Sequence, residues 1–320
     1  MSHEVETMAF ANQLPWHGLG NRVDDCISVD DMIVAAGIDW EVKQAPCYAT
    51  VDGEKITVPR QVLYRETDKR ILTVTGDNWL PLQNKDAAEF FRDWTEAGGA
   101  KLETMGSLRG GKVIWGLAKI AAGFTLKGRD KVEGYVLLVS PHECGKAITV
   151  RGTMTRVVCA NTMAVALRDA ATYTQSHLKE FDHAAAKEAV ALVTEKVREF
   201  ELDAGTLMKL KMSEFDNVRL LAKFFQPIEA GVSEKEDAAQ VQALIDNPAS
   251  QNKVLQQVLL SHAKAPGATP GNGWGTLNAV THWADHVAGR EADARMFRSW
   301  FGHTGRIKEQ VKTDLLEMAA

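Results

Sequence analysis

The 320-residue sequence predicts an α+β protein, with an antiparallel sheet meander backed by helices and followed by a mainly helical C-terminal half. Two observations give this fold class. Runs rich in β-branched and aromatic residues, separated by turn residues, recur between residues 45 and 158. From about residue 161 onward the apolar residues follow helical spacing instead. Strands followed by helices, rather than alternating with them, favour an α+β fold.

The first 45 residues are interpreted as an N-terminal arm that packs on the rest of the chain. A short helical pattern runs from Val29 to Ala36, and Ser28 stands where a side chain would cap it. Strand-like runs follow as far as Thr75, and the pair Asp52-Gly53 is typical of a hairpin turn. We therefore expect β-hairpins in this stretch.

A helix is predicted to begin with Asn84 as its cap and to end near Ala97, because Gly98 and Gly99 follow. Apolar side chains recur within it at helical spacing. Strands are expected to resume directly afterwards, in runs at residues 102–108, 113–120, 135–139 and 147–158.

The rest of the chain is predicted to be helical. An alanine-rich segment extends from Asn161 to Thr172, and a long amphipathic segment extends from about Asp182 to Met212. Helices at 274–289 and 306–319 would follow a Pro- and Gly-rich loop. The domain boundaries expected from this pattern are an arm at 1–45, a sheet domain with a basic face at 46–172, and a helical region packing on it at 173–320.

Cysteine usage and hydropathy predict a cytoplasmic protein. The four cysteines form no CxxC pair and no spacing typical of a disulfide framework. The sequence shows no signal-peptide pattern and no run of about 18 apolar residues. Free thiols in a reducing compartment are the expectation.

Charge is unevenly distributed along the chain, although the net charge is only −5. Residues 101–168 carry eleven Lys or Arg against four Asp or Glu, a net of +7. The remaining 26 basic and 38 acidic residues give −12. A basic sheet face can bind a phosphate backbone because each neutralised phosphate releases condensed counterions. A solvated face, or cations paired with the acidic helices, would explain the same pattern.

These observations give the leading hypothesis, a non-enzymatic protein that binds single-stranded nucleic acid. Trp115, Phe124 and Tyr135 are candidates for stacking on bases, and the start of a helix near residue 161 would favour phosphate. The residues predicted to contact nucleic acid are Arg109, Lys112, Lys119, Lys127, Arg129, Lys131, Arg151, Arg156, Asn161 and Thr162.

Three other groups of residues predict a metal site or a catalytic role less specifically. His282 and His286 stand four residues apart, a spacing that zinc-binding helices use, but no third ligand is evident and histidines that pack are the default interpretation. Cys144 follows His142 and Glu143, yet neighbours at a turn seldom face one another. The glycine-rich stretch 106–112 lacks the spacing of a phosphate loop and is predicted to be a basic hairpin turn. No metal and no cofactor are expected.

Several blocks of the sequence together resemble the phage/plasmid-related protein family built on the domain of unknown function numbered 932. His282 departs from the family pattern, in which an acidic residue is usual. The blocks that carry the resemblance are His3 to Met8, Pro15 to Gly20, Leu82 to Lys85 with the following Phe90-Phe91, Arg156 to Thr162, and Trp274 to Thr281 with Asp285-His286.

The resemblance implies an origin on phages, prophages or plasmids, and therefore a bacterial host cell. At the level of architecture the chain also resembles the single-strand annealing proteins that mobile elements use in recombination, so strand annealing and a homo-oligomer are expectations too. Two alternatives stay open. One is a metal-dependent nuclease or other hydrolase that uses His286 and Asp285, and the other is an interaction protein that modulates a host factor.

Overall fold

A computed structural model gives the structure of the chain and describes residues 5–11, 20–96, 99–126, 130–156, 161–163, 172–226, 234–264, 268, 271–289, 295, 298–299 and 302–320. The fold is α+β, as predicted. The chain divides into two compact units. The first unit comprises Met1–Ala122, Gly134–Thr153 and Leu167–Thr194, and the second comprises Gly123–Glu133, Met154–Ala166 and Glu195–Ala320.

The described strands are β1 (Val5–Phe10), β2 (Asn21–Arg22), β3 (Val42–Val51), β4 (Glu54–Arg65), β5 (Ile71–Thr75), β6 (Ala100–Leu108), β7 (Val113–Leu126), β8 (Asp130–Pro141), β9 (Ile148–Arg156), β10 (Asn161–Met163) and β11 (Thr172–Gln175). They form a large sheet in the order β10-β9-β8-β7-β6-β1-β2, with β11 also pairing β9, and a small sheet in the order β3-β4-β5. Strands β6 to β10 follow one another in sequence and in the sheet, which confirms the predicted meander.

The N-terminal segment contributes to the large sheet. Strand β1 pairs antiparallel with β6, and Met8 lies opposite Gly106. A Cβ atom at Gly106 would lie 2.6 Å from the carbonyl oxygen of Thr7, so only glycine allows the two strands to approach this closely. The predicted N-terminal arm, residues 1–45, therefore includes a strand that is hydrogen-bonded into the large sheet.

The hairpin turn and the helix cap that the local sequence predicts are both present in the first unit. Asp52 and Gly53 have φ angles of 51° and 86° and connect β3 to β4, as a tight hairpin requires. Helix α1 (Val29–Ala35) begins after Ser28, whose hydroxyl accepts a hydrogen bond from the backbone N–H of Asp31. Both features were predicted from the sequence.

The helix predicted from Asn84 is shorter and begins differently. It is divided into α2 (Asn84–Glu89) and α3 (Arg92–Glu96), and Gln83 occupies the cap position. The Asn84 side chain points into the interior, where Nδ2 donates hydrogen bonds to the carbonyls of Ile38 and Trp40 at 3.0 and 3.1 Å. The Asn84 side chain therefore bonds to backbone groups far along the chain instead of capping the helix.

The later helices are α4 (His183–Ala191), α5 (Val193–Lys209), α6 (Glu214–Phe225), α7 (Glu234–Asp246), α8 (Lys253–Lys264), α9 (Gly273–His282) and α10 (His303–Ala319). A single π turn at Trp283–Val287 continues α9, and a short 3₁₀ turn occupies Pro248–Ser250. The long helix predicted from Asp182 is thus two helices that meet at Leu192. Among the described residues no helix is long and apolar enough to cross a membrane.

The prediction that a helix starts at Asn161 is wrong. Asn161, Thr162 and Met163 pair antiparallel with Arg156, Thr155 and Met154. Pairing with β9 gives the backbone groups of these three residues their hydrogen-bond partners in a strand. Residues 164–171 lie outside the described part of the chain.

Candidate nucleic-acid interface

The turn between β6 and β7 carries two of the predicted cations. Arg109 has a φ of 56°, and the adjacent Gly110 and Gly111 also have positive φ, so the stretch is a hairpin turn, as expected. The guanidinium of Arg109 lies 2.8 Å from the Glu143 carboxylate. The half-buried Lys112 contributes its carbonyl oxygen to a 2.7 Å hydrogen bond from the backbone N–H of His142. Arg109 is therefore neutralised by a neighbouring acid.

Two further predicted residues do not present an open positive charge. Lys131 on β8 lies 2.6 Å from a carboxylate oxygen of Glu133. Arg151 is only 5% exposed, because β9 lies between β8 and β11 within the sheet and its middle residues are buried on both faces. Arg151 was predicted to grip a phosphate, and its buried position does not allow this.

The remaining predicted residues cannot be placed in the same detail. Lys127 and Arg129 lie outside the described residues. For Arg156, Asn161 and Thr162 the structure describes the backbone, which forms the β9–β10 pairing, and not the side chains. Of the aromatic candidates, Trp115, Phe124 and Tyr135 are all buried, so stacking on bases by these rings is not supported.

Among the predicted contact residues, Lys119 gives the best argument for a binding site. It lies on β7 directly opposite Lys101 on β6. Residues directly opposite one another on antiparallel strands project from the same face, so both lysine side chains leave the same face of the sheet. Sequence reasoning counted Lys101 in the basic segment but did not include it among the contact residues. Only the register shift between Leu102 and Thr104 brings the two lysines together.

Two acids, Asp25 and Glu103, line the same cavity as this pair of lysines. The Asp25 carboxylate lies 3.3 Å from the Lys101 ammonium, which is exposed to solvent. This hydrogen bond is the main cause of a raised pKa at Lys101 and of a lowered pKa at Asp25. Both groups are therefore charged at neutral pH, and the Lys101 ammonium is paired with a carboxylate.

A cavity of about 380 Å³ opens beside the two lysines. Its walls include Gly99, Ala100, Ile120 and Ala121. Three of these side chains are absent or a single methyl group, so a ligand could approach the backbone closely. A volume of this size lies near the lower end of the range of small-ligand sites, about 300–1,000 Å³.

The His282–His286 pair lies in the second unit, where the two ring centroids are 4.9 Å apart. Burial is the main cause of a lowered pKa at His282. The nearby Asp285 accepts hydrogen bonds from Ser299 and, at 3.1 Å, from the Lys308 ammonium. Its charge is thus balanced by a buried lysine, which weakens its value as a metal ligand. Among the described residues, three potential ligands come together only at Asp24, Asp25 and Cys26, which are all exposed.

His142 and Cys144 are not arranged as a base and a nucleophile. The His142 ring is fully buried, and its Nε2 lies 2.9 Å from Oδ1 of Asn84. Burial lowers the pKa of His142 to about 3, so the ring is neutral. Because Asn84 uses its Nδ2 as a donor elsewhere, its oxygen must accept, and Nε2 of His142 must carry the proton. The Cys144 thiol is exposed instead.

The fold and this site define a class of protein: a mixed α+β chain with two lysines opposite one another on neighbouring strands of the large sheet and without an assembled catalytic constellation among its described residues. The sequence matches the family model for the Domain of unknown function (DUF932) over residues 71–311, which is more than half of the chain. The chain belongs to this family. No curated protein and no solved structure matches it.

Proposed function

We propose that this protein binds single-stranded nucleic acid at the face of the large sheet that carries Lys101 and Lys119. The observation that supports the proposal best is the placement of the two lysines opposite one another on neighbouring strands. A phosphate that contacts both ammonium groups would release condensed counterions, which favours binding.

The shape of the site favours a single strand over a duplex. The cavity beside the lysines has a volume of about 380 Å³, and Gly99, Ala100 and Ala121 in its wall leave room beside the charged side chains. A space of this size can accept a nucleotide that has left its stack, and in a duplex the bases stay stacked. A flexible strand could therefore place a phosphate on the lysines while a neighbouring base enters the cavity.

The proposal is tested with fluorescence anisotropy on a labelled single-stranded oligonucleotide and the variant Lys101→Gln/Lys119→Gln. Each phosphate contact with a single strand contributes about 0.7 to the slope of log K against log salt concentration. Loss of two contacts should therefore lower the slope by about 1.4 and weaken binding most at low salt. Lys101 is exposed and Lys119 half-buried, so the fold should tolerate the change.

The matched control is Lys43→Gln/Lys55→Gln, which removes two exposed lysines from the small sheet of the same unit. Its net charge equals that of the test variant, so a general effect of charge would appear in both. Equal weakening in the two variants, or no binding of the unmodified protein at low salt, would contradict the proposal. Arg109→Gln should have a smaller effect, because the Arg109–Glu143 pair, at 2.8 Å, is closer and less exposed than the Lys101–Asp25 pair, at 3.3 Å.

Annealing of complementary strands, a role in recombination and an origin on a phage or plasmid are extensions of this proposal. They are supported by the resemblance of the sequence blocks and by the basic character of residues 101–168. Annealing is measured by energy transfer between two labelled complementary strands. Acceleration that disappears in Lys101→Gln/Lys119→Gln would connect annealing with the lysine pair.

The two alternatives predict other results. A nuclease or hydrolase that uses His286 and Asp285 would bind stoichiometric zinc or manganese in elemental analysis and would lose activity in His286→Ala. A protein that modulates a host factor would retain that factor in a pull-down after nuclease treatment. The balanced charge of Asp285 and Lys308 disfavours the first alternative.

A further inference from the structure

The small sheet β3-β4-β5 has two faces of different character. Leu63, Leu72 and Thr75 are buried, so one face packs on the interior of the first unit. Residues directly opposite one another share a face, and the face alternates along each strand, so the register identifies the residues of the other face. Ten apolar residues fall on this second face, which we call the outer face: Ala45, Cys47, Ala49 and Val51 on β3, Ile56, Val58, Val62 and Tyr64 on β4, and Ile71 and Val74 on β5.

The outer face is apolar although it faces solvent. Val51, Ile56 and Val74 are 49%, 48% and 44% exposed, and Ile71 is 64% exposed. The other six apolar residues of the face are half-buried. An antiparallel sheet with one face in water normally presents polar side chains on that face. A contiguous apolar surface across three strands therefore indicates a contact with another protein surface.

Charge on the outer face is small and balanced. The register adds two charged residues to the ten apolar ones, Lys43 beside Tyr64 at one end and Glu54 beside Val51 at the other. The net charge of the face is thus zero, and Lys43 already pairs with Glu41. A strongly acidic or basic partner would find little counter-charge here. A second copy of the same face would meet no net repulsion, and apolar surfaces of this kind are typical of contacts between identical chains.

The area of the outer face sets the strength expected of such a contact. Strands β3 and β4 pair over ten residues, and β5 adds five. At about 3.4 Å per residue and about 4.8 Å between strands, the flat area is about 400 Å². Two copies would bury about 800 Å² before the relief of the side chains is counted, which is below the roughly 1,200 Å² of a standard stable complex. The area fits a reversible dimer.

We infer that two copies of this chain form a reversible dimer through the outer face of the small sheet, with the two sheets packed face to face. Twisted sheets pack in this way at a separation of about 10 Å, with their strands about 30° from alignment. The same residues contribute from both copies, so the contact closes at two chains. The inference goes beyond the proposed function, because it concerns another surface and does not require nucleic acid.

Sedimentation velocity over a range of protein concentrations tests the inference. The average mass of the unmodified protein should rise towards twice that of the monomer as the concentration increases. Ile56→Lys/Ile71→Lys should weaken association at least tenfold, because it places like charges against one another across the contact. The matched control is Lys43→Gln/Lys55→Gln, which retains all ten apolar residues of the outer face and should associate as the unmodified protein does.

A second variant keeps the test valid if the lysine variant is suspected of misfolding. Ile56→Glu/Ile71→Glu should also be monomeric by itself. An equal mixture of the lysine and glutamate variants brings opposite charges together, so the mixture should associate more tightly than either variant does separately. Misfolded chains would not regain association in this way. No gain in the mixture would show that the two copies do not meet through the same face.

Two cysteines report where the contact lies. The half-buried Cys47 belongs to the outer face, and the exposed Cys144 lies outside the small sheet. Alkylation of Cys47, measured by peptide mass spectrometry, should slow as the protein concentration rises, whereas alkylation of Cys144 should not change.

Three results would overturn the inference: a monomer at every concentration, association that persists in Ile56→Lys/Ile71→Lys, or alkylation of Cys47 that does not depend on protein concentration. A monomer that binds a different protein at this face would assign the outer face to that partner instead. Because Lys101→Gln/Lys119→Gln should associate as the unmodified protein does, failure here is distinguishable from failure of the proposed function.

Discussion

The buried network of Lys308, Asp285 and Ser299 supports a quantitative prediction about stability. The Lys308 side chain is 0% exposed and that of Asp285 is 9% exposed, and their charged atoms lie 3.1 Å apart. The Lys308 ammonium also donates to Ser299 at 2.6 Å. Substitution Asp285→Asn keeps the shape of the side chain but leaves the ammonium in the interior without its counter-charge.

The expected loss in the free energy of unfolding for Asp285→Asn is about 3–5 kcal/mol, since removal of one partner of a buried ion pair leaves the other uncompensated. Lys308→Met should have a similar effect for the same reason. The double variant Lys308→Met/Asp285→Asn removes both charges, so its loss should not exceed that of either single variant. Urea unfolding followed by circular dichroism measures all three.

The matched control is Asp314→Asn on α10. Its partner Lys223 is 61% exposed, so the pair should contribute less than about 1 kcal/mol. A double variant that loses the sum of the two single losses would refute the reasoning, because additive effects mean that the two charges do not stabilise each other. A loss below about 1 kcal/mol for Asp285→Asn would refute it as well.

Two further predictions concern the folded chain. Because burial lowers the pKa of His142 from 6.5 to about 3, the unfolded chain takes up its proton first, and stability should fall as the pH decreases between these two values. The loss is about 1.4 kcal/mol per pH unit, and urea midpoints at several pH values should show a smaller slope for His142→Gln. Ser213 caps α6 in a capping box with Asp216, so Ser213→Ala should lower the unfolding free energy by about 1 kcal/mol. An unchanged urea midpoint in Ser213→Ala would contradict this interpretation.

Much of the secondary structure was predictable because the signals are local. The strands of both sheets follow β-branched and aromatic runs, and Ser28 and Asp52-Gly53 mark a helix start and a hairpin turn through contacts within about three residues. The prediction failed at Asn84 because its side chain donates to the carbonyls of Ile38 and Trp40, which local patterns cannot identify as partners. It failed at Asn161 because this segment pairs with the strand just before it, at Arg156, instead of starting a helix.

The candidate sites depended on tertiary structure more strongly. The sequence by itself determined the fold class, the family and the basic character of residues 101–168. Only the folded chain decided that Arg151 is buried, that Arg109 meets Glu143 and that Lys101 faces Lys119. The physical reason is strand register: a shift of one residue moves every side chain of a strand to the opposite face, and composition carries no information about that choice.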